Sequence, residues 1–385
     1  MTADGPAPSP RSDLVVLTGA KTVSNTALRW VGPFLPTLER AFSASTGTLT
    51  GIMGACELGG LSTAAAGGAL DRGHEKRLYV AGLMAVSVSS LVALGGTTVT
   101  FAVSFAILVL GVSNLTVAGH AWIGHRVPFA ARGRAIGAYE TSWAIALLVG
   151  APILAVLIDV FGWRGPYVAL AVAAMLAAAV VRVRVGASRH VATAAPSRRP
   201  PLPRSAWPPM LGSAATAAAG LGTFVVSGAW LDDAYGLSTG GLGVVAAGFG
   251  VVELASSSSV AAFGDRIGAR RSVAAGLALL GCGVVAMLVA GDSRTAAIAG
   301  LLLFLCGFEF GFVSTLTLVT EAAPAARGRA IGVSNALGTV ARASAVVASG
   351  QLYERFGMTG SLTMAACAAG TAALALVLTT TPGSA

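Results

Sequence analysis

Charged residues are scarce in this sequence: Asp, Glu, Lys and Arg make up 11% of its 385 residues, where a soluble globular chain carries about a quarter. So few charges cannot clothe a chain of this size in water, which excludes an ordinary soluble domain. Aromatic residues are few as well, at 6%. The four cysteines, Cys56, Cys282, Cys306 and Cys367, all fall inside apolar runs, and their spacing matches neither a metal site nor a disulfide framework. They read as small core residues. No HExxH, nucleophile elbow or metal cluster is present, so the sequence offers no enzyme chemistry. The first residues, MTADGPAPSPRS, lack the basic, apolar and cleavage regions of a secretory signal, so the first apolar run should persist as a helix.

What is there is apolar, with a hydrophobic fraction of 55% and a mean hydropathy of +0.78. A bilayer core about 30 Å thick needs about 20 helical residues to cross it. That ruler places helices 1 to 12 near 14–37, 49–70, 78–98, 100–124, 135–160, 165–184, 210–231, 240–263, 272–291, 296–319, 330–352 and 359–380. Fifty glycines suit helices that must approach closely without a hydrophobic drive between them. The expected fold class is all-α integral membrane, twelve transmembrane helices as two six-helix pseudo-symmetric bundles. The domains are an N-terminal tail 1–13, a first bundle 14–184, a linker 185–209 rich in Pro, Ser and Arg, a second bundle 210–381, and a tail 382–385.

The net charge of +9 does not signal nucleic acid, because the basic residues sit in short connections between apolar runs. With both termini on the cytoplasmic side, eighteen of the 25 Lys and Arg fall on that side. The opposite loops hold Arg40, Arg164, Arg294 and Arg355. This is a positive-inside bias.

The halves repeat. Ala-Arg-Gly-Arg-Ala-Ile-Gly at 131–137 returns at 326–332, an offset of 195 that also carries Phe161-Gly162 onto Phe356-Gly357. Asp71-Arg72 maps onto Asp265-Arg266 at an offset of 194. Six helices per unit give both units one orientation, so their pseudo-twofold axis runs along the membrane normal.

Seven ionisable residues lie well inside predicted helices: Lys21, Arg29, Glu57, Glu140, Glu253, Glu309 and Arg342. Each costs about 2.5–3.5 kcal/mol near the midplane on insertion scales, so they should face a protein interior or a wet cavity. Lys21, Asn25 and Arg29 form one stripe on helix 1, and Asn335, Thr339 and Arg342 a similar one on helix 11. The 195 offset pairs Asn114 with Glu309 and Glu140 with Asn335. The candidate substrate and proton cavity is therefore Lys21, Asn25, Arg29, Glu57, Asn114, Glu140, Glu253, Glu309, Asn335 and Arg342. An interfacial position competes with this role for Glu140, and a structural ion pair for Glu57 and Glu253. His120 and His125 on helix 4 read as structural or interfacial.

The segment from Gly67 through Asp71-Arg72 to Lys76-Arg77 resembles the loop 2–3 motif of the major facilitator superfamily. Its copy, Asp265-Arg266 to Arg270-Arg271, resembles the loop 8–9 version. Gly32-Pro33 at the end of helix 1 is similar to the twelve-helix drug:proton antiporter group, as is Gly150-Ala151-Pro152 in helix 5. The resemblance implies a gate at the loop motifs, where a carboxylate such as Asp71 meets a helix N-terminus and nearby arginines. It also implies a monomeric secondary transporter in the plasma or inner membrane that works by alternating access. The expected activity is proton-coupled efflux of a small amphipathic or organic compound, with no cofactor and the proton gradient as energy source. Proton-coupled transport of an organic anion or metabolite is the alternative. A polytopic membrane enzyme or sensor is more remote.

Overall fold

A computed structural model describes residues 10–186 and 201–379; most of the predicted linker, the outer part of the N-terminal tail, the last two residues of the second bundle and the whole C-terminal tail lie outside them. Among the described residues every regular element is helical. Among the described residues, nine helices are long and apolar enough to cross a membrane. These are helices 3 to 10, over Glu75–Ala93, Thr98–Arg126, Phe129–Phe161, Arg164–Arg184, Arg204–Tyr235, Thr239–Gly264, Ala269–Leu288 and Arg294–Ala322, and one long helix, Arg327–Leu378.

The count of twelve is recovered from three interruptions. Helix 1 runs over Pro10–Arg29 and carries Arg11, Asp13, Lys21 and Arg29, which make it less apolar than the nine. It breaks at Gly32-Pro33 and resumes as a short helix, Leu35–Phe42. Helix 2 is Thr46–Glu57 and Thr63–Leu70, joined by a tighter turn over Leu58–Ser62. Arg327–Leu378 contains a non-helical residue, Gly357 (φ 61°, ψ −157°), which separates helix 11 from helix 12. Its repeat partner Gly162 has φ 66° where helix 5 turns into helix 6. Both copies of Phe-Gly therefore supply a residue that tolerates a backbone denied to L side chains.

Hydroxyl caps start four of the helices that enter from the end opposite the arginine-rich loops, helices 2, 4, 8 and 10. Ser45 caps helix 2 by accepting from the Thr48 N–H, and Ser238 caps helix 8 by accepting from Gly241. Thr97 and Ser293 do the same for helices 4 and 10. The loop motif also has a local reason. Helix 2 ends at Leu70, and Gly73, at φ 76°, closes the turn by donating its N–H to the Leu70 carbonyl.

The chain divides into two compact units. One holds Met1–Trp30 with Gly59–Ala194, the other Val31–Leu58 with Ala195–Ala385. The first is built around Leu17, Tyr79, Leu83, Leu115, Trp122 and Tyr139. In the second, residues 31–58 pack against helices 7 and 11 although they come from the N-terminal half by sequence. Small residues make this possible. A Cβ on Gly54 would strike Val347 and the Ala343 carbonyl, one on Gly350 would strike Thr50, and one on Gly228 would strike the Gly32 and Pro33 carbonyls. Helices 3, 6, 9 and 12 each expose apolar side chains, among them Val88, Met175, Val285 and Val377, as lipid contact requires.

Candidate functional site

In the first unit, helix 1 lies against helix 5 where helix 5 is irregular. Pro152 has no N–H and its ring crowds the carbonyl four residues earlier, and the chain answers with a π-turn at Ala146–Gly150. A Cβ at Gly150 would sit 2.5 Å from Thr26 Oγ1, so the glycine lets the two helices touch. The predicted stripe on helix 1 then meets helix 5 rung by rung. Lys21 Nζ donates to Glu140 Oε1 at 2.7 Å, Asn25 Nδ2 to Ser142 Oγ at 3.1 Å, and Arg29 Nη1 to the Trp143 carbonyl at 3.0 Å.

The lowest rung is a cluster of three ionisable groups. The Lys21 side chain is fully enclosed, with its ammonium 4.1 Å from the centre of the Tyr139 ring. His120 Nε2, from helix 4, also lies 2.7 Å from Glu140 Oε1, so one carboxylate oxygen serves both bases. Glu140 and His120 remain 36% and 39% exposed. Tyr79 donates to the Leu17 carbonyl at 2.6 Å and supports Tyr139 from behind. One rung up, the Ser142 hydroxyl donates to the Tyr139 carbonyl, so Ser142 Oγ must accept from Asn25. Asn25 Oδ1 is a buried acceptor with no donor among the described residues.

In the second unit, Glu57 and Arg342 form an ion pair at 3.7 Å, and Arg342 also donates to Thr339 Oγ1. Ser257 of helix 8 donates to Glu309 Oε1 of helix 10 at 2.9 Å. Glu253 is buried in helix 8, and Asn335 is exposed on helix 11.

The repeat relates contacts as well as residues. Asn114 Nδ2 donates to Ser62 Oγ at 3.0 Å in the first unit. Ser62 and Ser257 are 195 residues apart, as are Asn114 and Glu309. The same helix-to-helix hydrogen bond is thus made twice, once with an amide and once with a carboxylate. His120 and Glu140 map by the same offset onto Thr315 and Asn335. Helix 7, the counterpart of helix 1, has no ionisable residue from Trp207 to Leu231.

The loop-motif residues sit at the arginine-rich end. Gly67 lies in the last turns of helix 2; Asp71, Arg72 and Arg77 are exposed and Lys76 is half-buried. Asp265 and Arg266 lie in the last turn of helix 8. Arg270 donates to the Thr379 carbonyl at the end of helix 12, and Arg271 is exposed.

At the opposite end of the second unit is a cleft of about 870 Å³ bordered by Glu39, Asp233, Tyr353 and Glu354. Glu354 accepts from the Gly47 N–H at 2.7 Å, Tyr353 donates to Asp233 at 2.7 Å, Arg40 pairs with Asp232 at 3.3 Å, and Thr46 donates to Glu39. Burial raises the Glu39 carboxyl above the ordinary glutamate range. The Thr46 hydroxyl opposes this shift, Asp233 adds to it, Arg40 opposes it, and Glu354 adds to it.

Sequence reasoning found Lys21 and Glu140 but not that they are partners, and it left His120 outside the site. The signal for His120 was present as a titratable group inside a spanning segment. Ser142, Trp143 and Ser257 carried no signal, because a hydroxyl or a carbonyl costs an apolar helix little.

Comparisons with known proteins agree with this architecture. The family model for the Major Facilitator Superfamily matches residues 17–346 and 210–385. An uncharacterized MFS-type transporter, YwfA, of Bacillus subtilis (strain 168) is 28% identical over 138 residues, a match covering 35% of this chain and 33% of that protein. The fold is similar to that of a bacterial homolog of the human lysosomal transporter Spinster, solved inward-facing and unoccupied (TM-score 0.72, 15% identity, 97% of this chain and 95% of the other). It is equally similar to a D-xylose-proton symporter (TM-score 0.73, 15% identity, 97% and 98%). With twelve helices in two repeated sets of six and the family model matching from residue 17 to residue 385, the chain is a multi-pass membrane protein that belongs to the Major Facilitator Superfamily, a family of transporters.

Proposed function

We propose that the chain is a secondary active transporter working by alternating access, and that it couples proton movement to the export of a small amphipathic or organic compound. The twice-made helix 2–4 and helix 8–10 hydrogen bond carries this reading. Asn114 completes the contact with Ser62 as a neutral amide, so the packing needs only a hydrogen-bonding partner. Glu309 completes the same contact with Ser257 and brings an acid into a spanning helix, at a cost of about 2.5–3.5 kcal/mol on insertion scales if ionised. A group that costs this much and is not required by the fold has a use there, and reversible proton binding is the chemistry a carboxyl in such a place performs.

The organic-anion alternative calls for cations ready to receive an anion. Lys21 pairs with Glu140, Arg342 pairs with Glu57, and Arg29 is engaged by the Trp143 carbonyl, which favours the first reading. The arginine bias of the loops supports both termini on the cytoplasmic side of the plasma or inner membrane, and a monomer is the working unit of this reading. A thermal-stability screen of purified protein against compound libraries supplies substrates. Flux of a hit into proteoliposomes under an imposed pH gradient then tests the coupling. Glu309→Gln abolishes gradient-driven flux and leaves substrate exchange intact. Undiminished gradient-driven flux in that variant refutes the assignment.

A further inference from the structure

Resting on the proton-coupled reading, we infer that a second proton site lies in the first unit, and that its carrier is the imidazole of His120, held by Glu140 against the buried Lys21. Three observations carry it. First, Glu140 Oε1 is shared at 2.7 Å by Lys21 Nζ and His120 Nε2, which assigns the neutral imidazole its tautomer: Nε2 carries the hydrogen and Nδ1 is the free base. Second, the Lys21 ammonium is fully enclosed and Glu140 is its carboxylate. A proton arriving on Glu140 would strip a buried cation of its counter-charge. A proton arriving on His120 Nδ1 breaks no hydrogen bond, because Nε2–H stays on Glu140. Third, the fold does not require the cluster, since Thr315 and Asn335 occupy the repeat-related positions of His120 and Glu140 and helix 7 is uncharged there. In that half the corresponding helix 7–helix 10 contact is made by two hydroxyls, Thr315 to Ser213 at 3.1 Å.

The titratable groups facing His120 come from every neighbouring helix. Helix 1 brings Lys21. Helix 5 brings Glu140 and Tyr139, whose ring lies edge-to-face with the imidazole at 5.5 Å. Helix 3 brings Tyr79 against Tyr139, and the part of helix 2 beside helix 4, Gly59 to Leu70, has none. Binding one proton changes the charge of Lys21, Glu140 and His120 together from zero to +1. The bond formed is Nδ1–H, and the proton comes from water and returns to it. His120 is 39% exposed and Lys21 0%, so of the two bases only the imidazole is open at the surface of the protein.

The test needs no substrate. The chain has four histidines, His74, His120, His125 and His190, so nitrogen-15 histidine spectra of the full-length protein in lipid nanodiscs can be assigned by single His→Gln variants. The expected result is that His120 is the Nε2–H tautomer at high pH and gains a proton at Nδ1 on acidification. Lys21→Met displaces that titration by a unit or more toward alkaline pH, by removing a neighbouring cation. Glu140→Gln displaces it toward acid, by removing the carboxylate. Glu309→Gln leaves it where it was, which separates this site from the one proposed above. A His120 that keeps one protonation state from pH 5 to 9, that is the Nδ1–H tautomer, or whose titration ignores Lys21→Met overturns the inference, while gradient-driven flux through Glu309 could still stand.

Discussion

Removing the Glu140 carboxylate should hurt this protein far more than removing the ammonium it binds. Lys21 is 0% exposed and Glu140 is 36% exposed, so the two partners do not lose equally when the pair is broken. At 2.7 Å and an effective dielectric of about 20, the pair attracts by roughly 6 kcal/mol, before the cost of taking the ammonium out of water is subtracted. Breaking a buried pair from one side costs about 3–5 kcal/mol, because the remaining charge stays buried without a counter-ion. With Glu140 partly open, the lower end, about 3 kcal/mol, is the expected loss for Glu140→Ala. At about 2–4 °C per kcal/mol for a unit of this size, that is a fall of about 6–12 °C in the unfolding midpoint. Lys21→Met leaves Glu140 partly exposed and still hydrogen-bonded to His120, and costs about 1 kcal/mol, as losing a partly exposed pair does. The double variant Lys21→Met, Glu140→Ala has no stranded charge and recovers most of the loss. Thermal unfolding of the four proteins in one detergent closes the cycle. A Glu140→Ala protein no less stable than Lys21→Met, or a double variant as unstable as Glu140→Ala, would refute the claim that the carboxylate exists to hold Lys21.

Two further expectations follow from other parts of the molecule. Gly150→Ala drives a methyl into Thr26, 2.5 Å from its Oγ1 and 2.6 Å from its Cγ2, and should cost about 1–3 kcal/mol as overpacking. Adding Thr26→Ala should restore most of that in the same unfolding assay, and a loss unmoved by the second change would mean that the two helices do not meet there. At the opposite end, burial raises the Glu39 carboxyl, so the folded protein holds a proton there that the unfolded chain has already released. Between the ordinary glutamate value, about 4.3, and the raised one, the native state binds more protons, and stability therefore falls as pH rises through that window. Glu39→Gln should flatten this slope in unfolding midpoints measured upward from pH 4.5, and identical slopes in both proteins would exclude Glu39 as the source.

Much of the architecture is legible along one dimension. The length of each apolar run, the glycines and prolines that punctuate them, and the motifs returning at a fixed offset are properties of the chain read in order. They are enough for twelve helices in two sets of six. Even the equivalence of Asn114 and Glu309 needs only the offset. Helix 1 shows where this reading reaches its limit: the stripe of Lys21, Asn25 and Arg29 is plain from i, i+4 spacing, yet nothing in the spacing says what faces it.

Partners were decided by tertiary structure. In a bilayer both the lipid-facing and the protein-facing sides of a helix are apolar, so the run of residues does not state how the helix is rotated or which neighbour it meets. Lys21 finds Glu140 119 residues away because Gly150 lets helix 5 touch helix 1. His120 joins them because helix 4 passes the same point. Residues 31–58 pack with the second half of the chain because Gly54, Gly228 and Gly350 leave room for the backbone to approach. The sequence alone determined that the chain crosses the membrane many times and that the crossing pattern is used twice; the packing of small residues decided which charges meet, because close approach is a property of two surfaces and a sequence describes each surface separately.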